Sequence, residues 1–277
     1  MAIIRVQKGT KDILPPEMPV WHFMEEKAAE VFTKYGAKEI RTPIFEADIV
    51  NKEMYTFEKS ERSLTLRPEN TAGVVRSFIE NGMHRLSAPV KLWYKGPMFR
   101  YERPQAGRQR QFHQVGVEVF GIKQPTADAE VILMAVNYLK ALGLNDLSVE
   151  LNSLGCPECR ETFKTKLKEV IKLYLSQLCP DCQARYEKNP LRLLDCKVEE
   201  CKEIYAKPEI QEVIQSDFIC DECAEHFTSL KEYLDALNIN YSINKLLVRG
   251  LDYYNRTVFE IKSNNLGSQN AVCGGGR

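Results

Sequence analysis

The chain has 277 residues, 44% of them hydrophobic and 27% charged, and its 38 basic and 38 acidic side chains leave no formal net charge. This balance excludes a protein whose whole surface attracts nucleic acid, so any such contact must be local. No apolar run approaches membrane-spanning length and the N-terminus lacks a signal-peptide pattern, so we expect a cytoplasmic protein whose nine cysteines stay reduced.

The first part of the chain predicts two helices separated by strands. Residues 15–17 (Pro-Pro-Glu) open a helix that ends at Gly36. Residues 37–45 predict a strand, with Pro43 near its end, a position that suits an edge or an interface. A second apolar helix follows residues 67–72. The face predicted to be buried on the first helix comprises Val20, Met24, Ala28, Val31 and Phe32.

Residues 99–114 (FRYERPQAGRQRQFHQ) concentrate arginines around a Pro-Gln-Ala-Gly turn between two predicted strands. Guanidinium groups are always charged and fit phosphate or carboxylate oxygens two at a time. The pattern therefore predicts a phosphate-binding hairpin, and the alternative is a solvated edge hairpin with surface arginines. The arginines concerned are Arg100, Arg103, Arg108 and Arg110.

The outgoing strand of this hairpin alternates between two faces. Valines occupy one face, whereas Gln114, Gly116 and Glu118 share the other. This second face has no apolar side chain of its own to pack. We therefore expect a polar pocket with an open floor, lying on the sheet rather than in a loop.

A helix at about residues 127–142 and a strand at residues 144–152 precede a change of character. Eight of the nine cysteines then lie in a charged, amphipathic and helix-rich stretch, after which strands return from Tyr241 onward. The simplest organisation is a first part at residues 1–153, a small inserted helical domain at residues 154–238, and a resumed sheet at residues 239–277.

The cysteines of the insert occur in pairs that suit a four-sulfur zinc shell, and the first two pairs have the spacing of a zinc ribbon. Reduced structural cysteines without metal are the alternative. A structural zinc is favoured over a catalytic one, because a catalytic site usually keeps an open position beside a histidine or carboxylate ligand. How the pairs combine is left open. The pairs are Cys156 with Cys159, Cys179 with Cys182, Cys196 with Cys201, and Cys220 with Cys223.

Residues 249–260 (RGLDYYNRTVFE), taken with the hairpin, closely resemble the histidyl-tRNA synthetases. The hairpin is similar to the second of the three class II aminoacyl-tRNA synthetase motifs, and residues 36–46 resemble the first, which forms the dimer interface in the family. The resemblance spans nearly the whole chain. Other matching blocks are GTKDILP (9–15), EMYTF (53–57), LTLRPE (64–69), NPLRLLDCK (189–197), LGSQ (266–269) and GGGR (274–277).

The resemblance implies an α+β fold, in which a class II antiparallel sheet flanked by helices carries the small helical cysteine-rich insert. The catalytic core would then comprise residues 1–153 and 239–277. The implied activity is that of a ligase, which uses ATP and Mg²⁺ to convert histidine to histidyl adenylate and transfers it to tRNA(His). The implied assembly is a homodimer.

The resemblance also implies roles for individual residues. Arg100 and Arg249 would be the catalytic cations at the ATP α-phosphate, and Glu102 and Arg108 would also line the ATP site. The residues implied to bind histidine are Glu69, Thr71 and Gln114 at the α-amino group, Glu118, Tyr253 and Tyr254 at the imidazole ring, and Arg249.

Three features depart from the family pattern. The segment after Glu46 is shorter, Asn70 stands where a glycine is usual, and the chain ends at Arg277, before the third motif and the anticodon-binding domain. We therefore expect a catalytic-domain fragment.

Two other functions compete with this interpretation. The first is the non-catalytic, synthetase-like regulatory subunit of an ATP phosphoribosyltransferase in histidine biosynthesis, which has no need of the intact segment at residues 249–260 or of the full arginine set. The second is a zinc-dependent RNA-binding module, which accounts for the cysteines but not for the hairpin.

Overall fold

The computed structural model describes residues 4–47, 54–59, 62–105, 107–216, 218–249, 253–263, 265–266 and 270–277. The chain forms two compact units, Met1–Lys123 with Asn137–Leu144, and Gln124–Val136 with Asn145–Arg277. Several residues of the segments that carry the resemblance lie outside the described residues, namely Glu53, Ala106, residues 250–252 and residues 267–269.

The first unit contains two sheets. Strand β5 pairs in parallel with β1 and antiparallel with β6, while β4 lies between β2 and β3 in an antiparallel sheet. A short 3₁₀ turn at Met83–Arg85 precedes β5. The elements are α1 (Met18–Lys34), β1 (Lys38–Glu39), β2 (Phe45–Glu46), β3 (Tyr55–Lys59), β4 (Arg62–Leu66), α2 (Thr71–Glu80), β5 (Val90–Phe99) and β6 (Gln111–Phe120).

Helix α1 buries only the C-terminal part of its predicted apolar face. Phe32 is buried, with its ring 6.0 Å from that of Trp93 and 5.5 Å from that of Tyr138. Val20 and Met24, by contrast, are 62% and 38% exposed. The prediction of a face buried along its whole length was therefore wrong for the first two turns, which the described part of the chain leaves uncovered.

The single strand predicted at residues 37–45 is interrupted. Between β1 and β2, the carbonyl of Thr42 accepts a hydrogen bond from Nη1 of Arg67 at 3.0 Å, and the carbonyl of Ile44 accepts one from the Arg67 backbone N–H at 3.0 Å. Pro43 lies between them and has no N–H to offer a ladder. A buried arginine side chain therefore takes the place of a neighbouring strand.

The second unit contains a four-stranded sheet and a run of helices. The strand order is β10-β9-β7-β8, antiparallel except for the β7–β8 pair. Short 3₁₀ turns occupy Lys172–Gln177 and Pro190–Asp195. Helix α3 has its first part in the second unit and its last part in the first unit. The elements from α3 onward are α3 (Thr126–Ala141), β7 (Leu147–Ser153), α4 (Pro157–Ile171), α5 (Pro180–Lys188), α6 (Glu199–Tyr205), α7 (Pro208–Gln215), α8 (Asp221–Ala236), β8 (Tyr241–Ile243), β9 (Thr257–Ser263) and β10 (Ala271–Gly276).

Helices α4 to α7 and the turns between them enclose a hydrophobic core. Its fully buried members include Leu167, Ile171, Leu193, Ile210 and Ile214. The predicted helical character of this stretch is confirmed, whereas its being a separate inserted domain stays a prediction. The chain as a whole has the expected mixed architecture of largely antiparallel sheets flanked by helices. Among the described helices, none is both long and apolar enough to cross a membrane.

Candidate active site

The arginines of the hairpin lie beyond the ends of its strands. Strand β5 ends at Phe99 and β6 begins at Gln111, so Arg100 and Arg108 both belong to the connection between the two strands. The ladder continues for one further bond, from the N–H of Arg100 to the carbonyl of Arg110 at 2.8 Å. The turn itself closes through two backbone bonds between Gln105 and Arg108, at 3.1 and 2.9 Å.

Gly9 anchors this connection from the start of the chain. Its carbonyl accepts hydrogen bonds from the backbone N–H groups of Arg110 and Gln111 at 2.7 and 3.1 Å. Gly9 has a left-handed φ of +86°, and a Cβ there would lie 2.8 Å from side-chain atoms of both Arg110 and Pro104. Only glycine therefore fits this crossing.

Arg100 is held at the base of the connection by two contacts. Its Nε donates to the carbonyl of Pro68 at 2.9 Å, and its guanidinium carbon lies 4.9 Å from the ring centre of Phe112. These contacts set Arg100 next to Glu69, which follows Pro68 in the chain. The cation predicted to bind phosphate thus adjoins a residue predicted to bind the amino acid.

Glu102 and Arg108, both predicted to line a nucleotide site, form an ion pair. The shortest distance between the guanidinium and the carboxylate is 3.8 Å. Arg110 lies beside them, with its Nε donating to the carbonyl of Glu102 at 3.1 Å and its guanidinium 5.0 Å from the ring centre of Tyr101. Alternating charges and an aromatic face therefore surround the turn.

The polar residues before and within α2 meet the polar face of β6. The hydroxyl of Thr71 donates to a carboxylate oxygen of Glu118 at 2.7 Å. The Glu69 carboxylate accepts the backbone N–H groups of Thr71 and Ala72 at 2.6 and 2.9 Å. Glu69 thus caps the helix, which is the ordinary role of a polar residue at such a position, and it also lies in the predicted histidine site.

Burial dominates the electrostatics of Glu118. It raises the pKa of the Glu118 carboxyl to about 7, and the negative charge of Glu69 acts in the same direction. Hydrogen bonds from Thr71 and Tyr94 oppose the shift, because they stabilise the ionised form. The result is a buried carboxyl group that changes charge near neutral pH.

The floor of the pocket is occupied, contrary to the sequence prediction. Tyr94 lies directly across from Gly116 in the β5–β6 register, and its ring fills the space where a Cβ of Gly116 would be. The Tyr94 hydroxyl donates to Glu118 at 3.3 Å. The expectation of a face without apolar packing was also wrong, because Tyr94 belongs to a buried cluster with Leu92 and Met98.

Gln114 lies one step along the same face, opposite Gly96. Its Oε1 is buried without a hydrogen-bond partner among the described residues. A buried acceptor of this kind is costly unless a donor satisfies it. Gln114 therefore has an acceptor available for a ligand, and its role at the α-amino group, which the resemblance implies, stays a prediction.

Arg67 was missed as a site residue, although it organises the whole region. It is only 5% exposed, and its Nε donates to the carbonyl of Pro97 at 3.0 Å. Its Nη2 lies 2.7 Å from the position of a Cβ on Gly96, so this glycine makes room for the guanidinium. The sequence signal that could have indicated such a close approach was a glycine within a strand, as at Gly96 and Gly116.

Asn70 fits its position without the glycine that the family usually has there. Its φ is −119°, which any residue adopts, and its side-chain oxygen accepts from the Thr42 hydroxyl at 2.5 Å and from Arg67 at 3.2 Å. The departure at this position is therefore accommodated by two hydrogen bonds.

In the second unit, a glycine strand receives two of the predicted site residues. The guanidinium of Arg249 pairs with Glu260 at 2.8 Å and lies 2.6 Å from where a Cβ of Gly274 would stand. The ring of Tyr254 lies 2.8 Å from the corresponding position on Gly276. Residues two apart face the same side of a strand, so Arg249 and Tyr254 share one face of β10.

Tyr253 accompanies Tyr254, with ring centres 4.8 Å apart. The structure thus brings the predicted residues together as two groups. The hairpin residues with Glu69, Thr71, Gln114 and Glu118 form one group in the first unit, and Arg249, Tyr253 and Tyr254 form the other in the second. The meeting of Arg100 and Arg249 at one phosphate stays a prediction.

The eight paired cysteines form two clusters. The first and last pairs along the chain make one cluster, and the two pairs between them make the other. In each cluster the four sulfur atoms lie within 4.8 Å of one another. The first two pairs, which have zinc-ribbon spacing, belong to different clusters. We call Cys156, Cys159, Cys220 and Cys223 the outer cluster, and Cys179, Cys182, Cys196 and Cys201 the inner cluster.

Similarity to known proteins shows the family of the chain. Residues 9–159, more than half of the chain, match the family described as histidyl-tRNA synthetase. The chain belongs to the histidyl-tRNA synthetase family. It is 53% identical to a histidine–tRNA ligase of Desulforamulus reducens over 98% of the chain and 67% of that relative. It is 52% identical to one of Halothermothrix orenii over 99% of the chain and 68% of that relative.

Among solved structures, the chain is similar to apo histidyl-tRNA synthetase from Staphylococcus aureus, with 40% identity and a TM-score of 0.79 over 99% of this chain and 66% of that one. A Bacillus halodurans structure described as an ATP phosphoribosyltransferase regulatory subunit/histidyl-tRNA synthetase shares the fold, at 20% identity and a TM-score of 0.72. The curated relatives at about half identity are ligases, which favours the ligase over the regulatory subunit. The chain spans about two thirds of their length.

Proposed function

We propose that this chain carries the histidine-activating part of a histidine–tRNA ligase. The enzyme joins histidine to ATP as histidyl adenylate, releases pyrophosphate, and passes the histidyl group to tRNA(His). The observation that carries this proposal is the contact of Thr71 with Glu118 beside Gln114, on the hairpin that also carries Arg100. An amino-acid site and a phosphate-binding cation thus share one hairpin.

The chemistry requires charge stabilisation more than a protein base. The histidine carboxylate attacks the α-phosphorus, and negative charge grows on the phosphate oxygens as pyrophosphate leaves. We assign Arg100 and Arg249 to these oxygens, because their planar forks match phosphate. Glu102 and Arg108 would line the rest of the nucleotide site. Mg²⁺ would neutralise the outer phosphates, and Glu102 supplies a carboxylate of the kind it prefers.

Recognition of histidine is assigned to the residues for which the family resemblance implies it. Glu69, Thr71 and Gln114 would receive the α-amino group, which as an ammonium has three protons to donate. Glu118 would bind the imidazole ring together with Tyr254, with Tyr253 alongside. A site that hydrogen-bonds both ring nitrogens rejects amino acids without them, because its own buried polar groups would stay unpaired.

We also propose that the protein acts as a homodimer in the cytoplasm. Ile44 and Phe45, within the segment that resembles the dimer-forming motif, are 39% and 58% exposed. Strand β2 pairs with β4 at Phe45–Glu46, and exposed apolar side chains beside it suit an interface with a second copy.

The organisation proposed is a catalytic core of residues 1–153 and 239–277 around an inserted domain at residues 154–238. The separate hydrophobic core of α4 to α7 supports this division. The two cysteine clusters support structural zinc in the insert, since a small helical domain gains much of its stability from metal.

The test is exchange of labelled pyrophosphate into ATP. We expect exchange that depends on histidine and on Mg²⁺, measured with a version of the relatives' full length. Exchange that is absent with histidine, while the protein is folded and binds ATP, would contradict the proposal and favour the regulatory subunit.

A further inference from the structure

We propose that each cysteine cluster binds one Zn²⁺ ion, and that the outer ion also positions the loop at residues 253–256. The second part of this inference rests on the proposed function, because it assumes that Tyr254 in this loop contacts histidine. The outer cluster would then support amino-acid recognition, whereas the inner cluster would support only the helical segment.

The sulfur geometry suits zinc in both clusters. Cys156 and Cys159 have their sulfurs 3.4 Å apart, and Cys179 and Cys196 have theirs 3.9 Å apart. The edge of a tetrahedral four-sulfur zinc site is about 3.8 Å, given zinc–sulfur bonds of about 2.3 Å. These distances are much too long for disulfides, and all the cysteines are free.

Backbone donors also point at the sulfurs. The N–H of Cys220 donates to the sulfur of Cys159 at 3.1 Å, and the N–H of Cys179 donates to the sulfur of Cys201 at 3.3 Å. Such bonds stabilise the negative charge of a thiolate ligand and fix its orientation. Each of these bonds joins residues from two different pairs, so the pairs are already brought together as a metal would need them.

The outer cluster joins the first turns of α4 and α8. Cys156 immediately precedes α4 and Cys220 immediately precedes α8, with Cys159 and Cys223 one turn further on. The two helices begin far apart in sequence. A metal bound here would therefore fix both helix starts at one point.

The chain next to this cluster is hydrogen-bonded directly to the loop at residues 253–256. The N–H of Arg256 donates to the carbonyl of Gly155 at 2.8 Å, and the N–H of Leu154 donates to the carbonyl of Arg256 at 2.7 Å. Gly155 is left-handed at φ +67°, and a Cβ there would overlap Cys159. Arg256 is itself left-handed, at φ 52°, which costs a non-glycine residue free energy unless its surroundings hold it.

Two side chains from the same helix starts complete the connection. Arg160, the residue after Cys159, donates through Nη1 to the carbonyl of Tyr254 at 2.8 Å. Glu222, the residue before Cys223, accepts from Arg256 at 2.5 Å. Residues 254–256 are therefore held by groups whose positions depend on the outer cluster.

The inner cluster has different surroundings. Cys182 accepts a hydrogen bond from the Tyr205 hydroxyl at 3.3 Å, and Cys182, Cys196 and Cys201 belong to the hydrophobic core of the helical segment. Its described sulfur contacts stay within that segment. Loss of its metal should therefore reduce stability with little effect on the loop.

The first measurement is the metal content of the purified chain by mass spectrometry, with zinc and iron each quantified. We expect two zinc ions per chain. The Cys220→Ser/Cys223→Ser variant should lose one, and the Cys196→Ser/Cys201→Ser variant should lose the other. One zinc ion or fewer in the unaltered chain, or iron in place of zinc, would overturn the inference.

The second measurement is binding of L-histidine and of ATP–Mg²⁺ by calorimetry. The outer-cluster variant should bind histidine about tenfold or more weakly and ATP as before, as is typical when a support for a binding residue is lost. The inner-cluster variant should mainly lower the melting temperature. Equal histidine affinity in the outer variant and the unaltered chain would overturn the positioning role and leave the proposed function standing.

Arg160→Ala separates positioning from folding, and keeps the inference testable if the outer-cluster variant does not fold. It should retain both zinc ions and still weaken histidine binding about tenfold. Arg185→Ala is the matched control, because Arg185 donates to the carbonyl of Arg192 within the helical segment and should leave histidine binding unchanged. Equal effects of the two variants would overturn the inference. An unaltered chain that binds no histidine at all would instead reject the proposed function.

Discussion

The hydroxyl of Thr71 donates a hydrogen bond to Glu118 at 2.7 Å, which joins the first residue of α2 to the C-terminal part of β6. The bond favours the ionised carboxylate against burial and against the neighbouring Glu69. Glu118 is thus a carboxyl group whose charge depends on pH near neutrality, in the position where the imidazole ring of histidine is proposed to bind.

The stability of the chain should therefore depend on pH through Glu118. Burial raises the Glu118 pKa from the ordinary 4.5 to about 7, so the folded state resists ionisation more than the unfolded state. Stability should fall as pH rises from about 4.5 to about 7 and then level off. Glu118→Gln should remove this fall and be the more stable variant at pH 8, by up to about 3 kcal/mol, in urea unfolding.

Glu232→Gln provides the control, because Glu232 is an exposed carboxylate on α8. It should leave the pH dependence unchanged. If Glu118→Gln and the unaltered chain lost stability in parallel between pH 5 and pH 8, the assignment to Glu118 would be wrong.

Thr71→Val should weaken histidine binding at neutral pH. It removes a hydrogen bond to a charged group, worth about 1.5–3 kcal/mol, and so raises the Glu118 pKa further. We expect the histidine KM to rise about tenfold or more and to improve again at higher pH. Thr71→Ser keeps the hydroxyl and should restore most of the affinity. If the histidine KM of the valine variant did not change with pH, Thr71 would not act through the charge of Glu118.

Arg249→Ala should reduce adenylate formation by about a hundredfold or more, as is typical for losing one transition-state contact, while the fold stays intact. Gly274→Ala should act through the same side chain. The new Cβ would meet the flexible end of Arg249 and displace it from Glu260, so activity should suffer more than stability.

The double variant Arg249→Ala/Gly274→Ala tests that connection in the pyrophosphate exchange assay. Because both changes remove one guanidinium from its place, the double variant should be no worse than Arg249→Ala alone. If the fold-losses in exchange rate of the two single variants multiplied in the double variant, Gly274 would have a role separate from Arg249.

Gly116→Ala should destabilise the first unit by about 1–3 kcal/mol, the usual cost of forcing an extra carbon into a packed site. The new Cβ would overlap the ring of Tyr94. Tyr94→Leu in the same chain should recover part of the loss, whereas Tyr94→Phe should not, since it keeps the ring. Thermal unfolding followed by circular dichroism measures all three.

Local patterns predicted the regular elements well. The helix expected at residues 127–142 is α3 at Thr126–Ala141, because apolar residues at helical spacing report directly on one buried face. The shared face of Gln114 and Glu118 followed from the two-residue period of a strand. The sequence did not show that β5 ends before Arg100, because the point where a hairpin ladder ends depends on its register and on Gly9, which is remote in sequence.

The spacing of residues along the chain could not predict contacts between residues that are remote in sequence. Thr71 and Glu118 are 47 positions apart, and Arg67 crosses to Pro97 over 30 positions. Tyr94 was missed because its partner, Gly116, signals only that something approaches closely and not which side chain does so. The nesting of the cysteine clusters was equally hidden, since each pair could have combined with any other.

Glu69 has a further consequence for how tightly a ligand can be held. Two backbone N–H groups fix its carboxylate before any ligand arrives, and each oxygen keeps a second lone pair for an ammonium group. The side chain therefore loses almost no rotational freedom when the amino acid binds. A mobile carboxylate would lose side-chain conformational entropy when it binds a ligand. Glu69 has already lost that entropy on folding of α2, so the loss does not weaken ligand binding.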